Sequence, residues 1–157
     1  MSKDVKKIPD GYHTVTPYIV LDDAAGAIEF YKRAFGAEER GRMPMPDGRL
    51  MHAEIQIGNS IIMMSSEFPE MGSTAKSPKK AGFGTGSLMI YTEDIDGLYQ
   101  RAIEAGATEV MAPQDMFWGD RYAKVIDPFG HEWQIGTHLE DVSMEEMAKR
   151  AETALNP

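Results

Sequence analysis

Apolar side chains along the chain alternate between two-residue and helical spacing, and the same succession occurs twice. Residues 14–21 (Thr-Val-Thr-Pro-Tyr-Ile-Val-Leu) are β-branched and aromatic and predict a strand, which Pro17 pushes toward a sheet edge or a bulge. From residue 24 the period changes. Ala27, Ile28, Tyr31, Ala34 and Phe35 recur at three- and four-residue steps, Asp22 or Asp23 stands at the start and Gly36 at the end. Residues 24–35 therefore predict an amphipathic helix of about three turns. Strands follow at 38–43 and 50–57, joined by Pro44-Met45-Pro46-Asp47-Gly48, a hairpin signal. In the second of them Met51, Ala53, Ile55 and Ile57 take one face, and His52, Glu54 and Gln56 the other. Gly58-Asn59 turns the chain into a further strand at 60–65.

The succession then repeats. Residues 88–92 predict a strand, and Asp94 leads a helix with Ile95, Leu98, Tyr99, Ala102 and Ile103 on one face, closed by Gly106. Further strands fall at 108–111, 121–126 and 132–137, the last two separated by the turn Asp127-Pro128-Phe129-Gly130. Gly36-Ala37-Glu38 and Gly106-Ala107-Thr108 stand 70 residues apart with the same elements on both sides. The pattern predicts an α+β chain, a single domain over 1–157 built from two tandem β-α-β-β-β modules at 14–66 and 87–138. Between them, 67–86 is rich in Pro, Gly and Lys; it is a lid hinged at Gly82, Gly84 and Gly86, or a plain connection. Beyond them Ser143-Met144-Glu145-Glu146 is a capping box opening a short C-terminal helix within 143–155. Its stripe of Met144, Met147, Ala151 and Leu155 ties down the terminus or packs on a partner subunit.

Composition narrows the chemistry. The 157 residues include 16 Lys plus Arg against 25 Asp plus Glu, a formal net charge of −9 that disfavours nucleic acid as a partner. With no cysteine there are no disulfides, thiolate metal sites or thiol nucleophiles, and only four histidines: His13, His52, His131 and His138. No apolar run approaches the roughly 20 residues that span a bilayer, and the N-terminal segment lacks a secretory h-region, so the expected setting is cytoplasmic.

Several local motifs together resemble a known superfamily. They are Pro17-Tyr18-Ile19-Val20 before residues 27–36 (Ala-Ile-Glu-Phe-Tyr-Lys-Arg-Ala-Phe-Gly), and in the second half Asp94-Ile95-Asp96-Gly97-Leu98-Tyr99 and Ala105-Gly106-Ala107. To these add Trp118-Gly119-Asp120-Arg121, Asp127-Pro128-Phe129-Gly130-His131-Glu132-Trp133, Thr137-His138 and Glu140-Asp141-Val142-Ser143. The combination resembles the vicinal-oxygen-chelate superfamily of glyoxalases, bleomycin-resistance proteins and extradiol dioxygenases, and most of all its PhnB-like branch. The resemblance implies that each module curls its sheet, that the helix covers the convex side, and that two modules build a concave chamber. It also implies a homodimer.

Enzymes of the superfamily hold a divalent ion with residues on each module's first and last strands. The resemblance carries those positions onto Thr16 and Ser87, onto Gln134, and onto the region of Ile62 to Met64. Hydroxyls, an amide and an apolar side chain lack the charge or imidazole that a divalent ion requires, so no cofactor is expected. The chamber lining expected from the same placement is Thr16, Tyr18, Ile62, Met64, Ser87, Met89, Tyr91, Trp118 and Tyr122, with Gln134 and Arg121 orienting a ligand. His52 and Glu54, two apart on one strand, are the candidate catalytic residues.

Two readings stay open. The chain binds a small organic molecule in its chamber without the usual metal centre. Alternatively it is a metal-dependent lyase, isomerase or dioxygenase that recruits a divalent ion near His52 and Glu54, or uses Glu54 as a base with its pKa raised by burial. The simpler view of His52 and Glu54 is hydrogen bonding within a wet chamber, and that of Asp120-Arg121 a local ion pair.

Overall fold

A computed structural model describes residues 5–155; the first four residues of the N-terminal segment considered above lie outside it. The chain divides into two compact units, Met1–Phe83 and Gly84–Pro157. Among the described residues no helix is long and apolar enough to cross a membrane.

The first unit contains β1 (Tyr18–Leu21), α1 (Ala24–Phe35), β2 (Glu38–Pro44), β3 (Leu50–Ile57), β4 (Ser60–Ser66) and the short α2 (Pro78–Ala81). Its sheet runs β1-β4-β3-β2, with β1 parallel to β4 and the other pairs antiparallel. The second unit repeats the plan with β5 (Ser87–Tyr91), α3 (Ile95–Ala105), β6 (Thr108–Asp115), β7 (Asp120–Ile126) and β8 (Glu132–His138), in the order β5-β8-β7-β6, followed by α4 (Met144–Leu155). The α+β architecture of two β-α-β-β-β modules with a C-terminal helix is thus present.

The repeat extends to the helix caps. Asp23 and Asp94 share one backbone conformation (φ −131°, ψ 83° and φ −131°, ψ 84°), and each carboxylate accepts the amide three residues on, Gly26 N and Gly97 N, at 2.9 Å. A β-carbon at either glycine would stand 2.2 Å from the capping aspartate's other oxygen, Oδ2, so glycine lets the carboxylate fold over the helix start at both positions. Burial then follows the predicted faces. Leu21, Ile28, Phe30, Tyr31, Ala53 and Ile55 form the first core, and Ile95, Ala102, Ala123, Val125, Trp133 and Ile135 the second. Within the second, buried Asp127 accepts Trp133 Nε1 and the amides of Phe129 and His131, all at 2.9 Å, and so binds the Asp127–Gly130 turn to the core.

Several predicted boundaries need correction. The first strand starts at Tyr18, not residue 14; Thr16 instead turns its hydroxyl to His13 O, and Pro17, with no N–H, contributes only its carbonyl, to Met63 N. β1 does lie at the sheet edge, as predicted, with Pro17 immediately ahead of it. β6 runs on to Asp115, past Met111, because Pro113 lies in an edge strand with irregular register. The segment between modules has structure of its own: a single 3-10 turn (Pro69–Met71) and α2, capped by the fully buried Ser77. Glu67 accepts Ser77 N at 2.6 Å and pairs with Lys80 at 3.3 Å. At α4, Ser143 Oγ accepts Glu146 N, but the Glu146 carboxylate goes to Arg150 rather than back to the cap. Arg150 also grips Glu140 through two 2.9 Å bonds.

Candidate functional site

In the first unit the open face of the sheet, opposite α1, carries a hydrogen-bonded row. Tyr18 Oη lies 3.3 Å from His52 Nδ1, and His52 Nε2 lies 3.1 Å from Glu54 Oε1. With Nε2–H donated to Glu54, Nδ1 accepts the Tyr18 hydroxyl. The second Glu54 oxygen accepts the Tyr12 hydroxyl, and Arg40 Nε stands 3.7 Å away. The Tyr12 bond, joined by His52 and Arg40, holds the Glu54 carboxyl below its ordinary range against the opposing effect of burial. The expectation of Glu54 as a base with a raised pKa is therefore corrected: its partners stabilise the carboxylate.

Ile62 and Met64 do not reach this open face. β4 pairs Ile55 with Ile62 and Ala53 with Met64, so both side chains share the buried helix side, where they are 4% and 0% exposed. The open-face residues of β4 are Ile61 and Met63, and the sequence assignment was one residue out of phase. Thr16 precedes β1, partly exposed.

In the second unit Ser87, Met89 and Tyr91 lie on the open face beside Gln134 and Gly136 of β8, and Tyr122 and Lys124 of β7 complete it. Gln134 Nε2 donates to Ser87 Oγ. Arg121 points the other way, to the helix side, where it binds Asp96 of α3 (2.9 and 3.0 Å) and Asp115 (3.0 Å). Neither the orienting role expected for Arg121 nor an Asp120–Arg121 pair fits this placement, because adjacent strand residues face opposite sides. Lys124, paired with Glu132 at 3.2 Å, is the cation actually on the open face.

The positions that the resemblance links to a divalent ion offer only neutral donors. In unit two they are the Ser87 hydroxyl and Gln134 amide, already bonded to each other. In unit one they are the Thr16 hydroxyl and, by the β1–β4 register, the Met63 thioether. None carries charge or imidazole, so this set does not fit a divalent ion. Among the described residues no three His, Asp or Glu side chains are grouped to hold one elsewhere.

Sequence reasoning missed the most organised cluster. Asp120, 5% exposed, accepts the Tyr91 hydroxyl at 3.0 Å and His138 Nδ1 at 2.7 Å, while His138 Nε2 meets Asp141 Oδ1 at 2.8 Å. Both ring nitrogens thus face carboxylates, an arrangement only the imidazolium satisfies fully. Asp141 and then Asp120 raise the His138 pKa, and the bond to Asp120 raises that of Tyr91. The imidazole lies between the carboxylates, so the three groups do not converge on a common point. They border an open cleft of about 490 Å³, whose other walls are Trp118, Val142, Ser143 and Met147. Trp118 rests edge-on against Tyr122, ring centroids 5.5 Å apart. Gly119 (φ +99°) shapes the rim: its carbonyl accepts Leu139 N and Glu140 N, and a β-carbon there would lie 2.3 Å from Glu140 O. The two-residue alternation of β8 already puts His138 on the face of Gln134. Its pairing opposite Asp120 depends on β7–β8 register, which no local signal encodes.

The comparisons agree with the fold. Residues 12–135 match the model of the Glyoxalase/Bleomycin resistance protein/Dioxygenase superfamily. The uncharacterized protein Rv0887c of Mycobacterium tuberculosis is 43% identical over 134 residues, covering 85% of this chain and 79% of its own. Among solved structures, TioX from Micromonospora sp. ML1 is similar with a TM-score of 0.62 at 23% identity, over 83% of this chain and 100% of that one. A glyoxalase/bleomycin resistance protein/dioxygenase family enzyme from Burkholderia phytofirmans gives 0.60 at 22% identity, over 78% and 95%. At these identities the structural matches speak for the fold alone.

Proposed function

The chain belongs to the Glyoxalase/Bleomycin resistance protein/Dioxygenase superfamily, and within it we propose that the protein binds a small organic molecule without the usual metal centre. The observation that carries this reading is the second-unit cleft, where Trp118, Tyr91 and Met147 offer apolar area beside the polar groups of Asp120, His138 and Asp141. Aromatic planes supply large contact area, a thioether adapts to irregular shape, and a few fixed polar groups orient the guest. The uncharged donors at Thr16, Met63, Ser87 and Gln134 support the metal-free part. The open-face residues Met89, Tyr122 and Gln134 adjoin on the same sheet and extend the surface available. The enzymatic alternative near His52 and Glu54 is not adopted, because Glu54 already satisfies its carboxylate with Tyr12 and His52. The proposal includes a cytoplasmic homodimer of the PhnB-like type; the exposed Met144 and Leu155 of α4 support a subunit contact, which light scattering checks.

The test is a screen of neutral and charged one- and two-ring aromatic fragments by thermal shift and by the NMR signal of the Trp118 indole. A bound fragment stabilises by mass action, by about 2.7 kcal/mol at a hundredfold excess over Kd, and moves the Trp118 signal. Trp118→Ala should abolish the stabilisation. Fragments that leave Trp118 unmoved, or bind the variant equally, would refute the reading.

A further inference from the structure

We infer that this cleft selects an organic cation, an amine or quaternary ammonium on an apolar group, and that His138 is the internal cation such a ligand replaces. The inference rests on the reading above that the cleft takes a small molecule, and adds its chemical class.

The cleft presents two carboxylates, Asp120 and Asp141, against the aromatic rings of Tyr91 and Trp118. Aromatic faces attract cations through their quadrupole, and carboxylates attract them directly. An anionic guest would meet both carboxylates within a chain of formal charge −9. Of the residues lining the cleft, only His138 can supply positive charge, and it sits between the two carboxylates at 2.7 and 2.8 Å. Its side chain is half exposed and Asp141 is fully exposed, so the ring can leave without disturbing the core. Buried Asp120 stays in place through the Tyr91 hydroxyl.

A neutral imidazole has one N–H and can serve only one carboxylate, so loss of the His138 proton frees the position for another cation. The charged groups around His138 are Asp120 from β7 and Asp141 ahead of α4, with Tyr91 of β5 bonded to Asp120; Glu140 and Arg150 pair with each other. A ligand of permanent charge should therefore bind better as pH rises through the His138 titration.

Choline and its uncharged tert-butyl isostere, in which carbon replaces the ammonium nitrogen, are the probes, followed by calorimetry and the Trp118 indole NMR signal. At about pH 9 choline should bind about tenfold tighter than the isostere. Its affinity should fall toward about pH 6, where His138 is protonated. His138→Gln should keep the high-pH affinity across that range, and Asp141→Asn, a fully exposed site that leaves folding intact, should lose most of the selectivity. Equal binding of both probes with a Trp118 response would overturn the cation inference and leave the proposed function standing. No Trp118 response to either probe or to any aromatic fragment would overturn both. Choline binding unchanged by pH and by Asp141→Asn would refute the role given to His138.

Discussion

Gly119→Ala tests how the fold builds the cleft. Gly119 has φ +99°, and an added β-carbon would lie 2.3 Å from Glu140 O and 2.8 Å from Val142 Cγ2. The nearer atom is backbone, so no rotamer change relieves the clash; the segment that presents Asp141 and Val142 must move. A β-carbon in left-handed conformation costs about 1–2 kcal/mol. Displacing the segment weakens the two bonds from Leu139 N and Glu140 N to Gly119 O (2.9 and 3.0 Å), worth about 0.5–1.5 kcal/mol each. Together these give a loss of about 2–5 kcal/mol. Urea unfolding followed by circular dichroism measures it, and hydrogen exchange at the Leu139 and Glu140 amides locates it. A loss below about 0.5 kcal/mol, the range of an ordinary surface change, with unchanged exchange would refute this account of the rim.

Three further outcomes are expected. Asp127→Ala leaves Trp133 Nε1 and the Phe129 and His131 amides without their acceptor; denaturant unfolding should show a loss of about 2–4 kcal/mol, and a loss under about 1 kcal/mol would mean that water replaces the carboxylate. Tyr12→Phe removes the largest influence that lowers the Glu54 pKa, so carboxyl NMR titration should show it rising toward the ordinary value; no change would remove Tyr12 as the cause. Glu39, held at about 2 chiefly by Arg42 and also by Lys32, has a folded pKa below its unfolded one. Its contribution is therefore present above the unfolded value and lost as pH falls from about 4.5 toward about 2. Glu39→Gln should flatten that part of the acid unfolding profile, and an unchanged slope would assign the acid sensitivity to other carboxylates.

Much of the fold was legible because period and caps agree: Asp23 and Gly36 bracket α1, and Asp94 and Gly106 bracket α3, at the predicted places. The open face was legible where one strand carried its own alternation, as in His52, Glu54 and Gln56. It failed at Ile62 and Met64, since β4 is apolar on both sides and its phase depends on pairing with β3. Arg121 was misplaced for a related reason: its partner Asp96 lies on a helix 25 residues away. The cluster of Tyr91, Asp120, His138 and Asp141 joins three separate segments, β5, β7 and the end of β8 with the residues after it, and strand register and the turn at Gly119 bring them together.

The central claim is ligand binding in the second-unit cleft without a metal, and the direct measurement is fragment titration of protein stripped by a chelator, read at the Trp118 indole. The melting temperature should survive stripping, and binding should stay saturable and be removed by Trp118→Ala. Binding that disappears on stripping and returns with a stoichiometric divalent ion would contradict the claim.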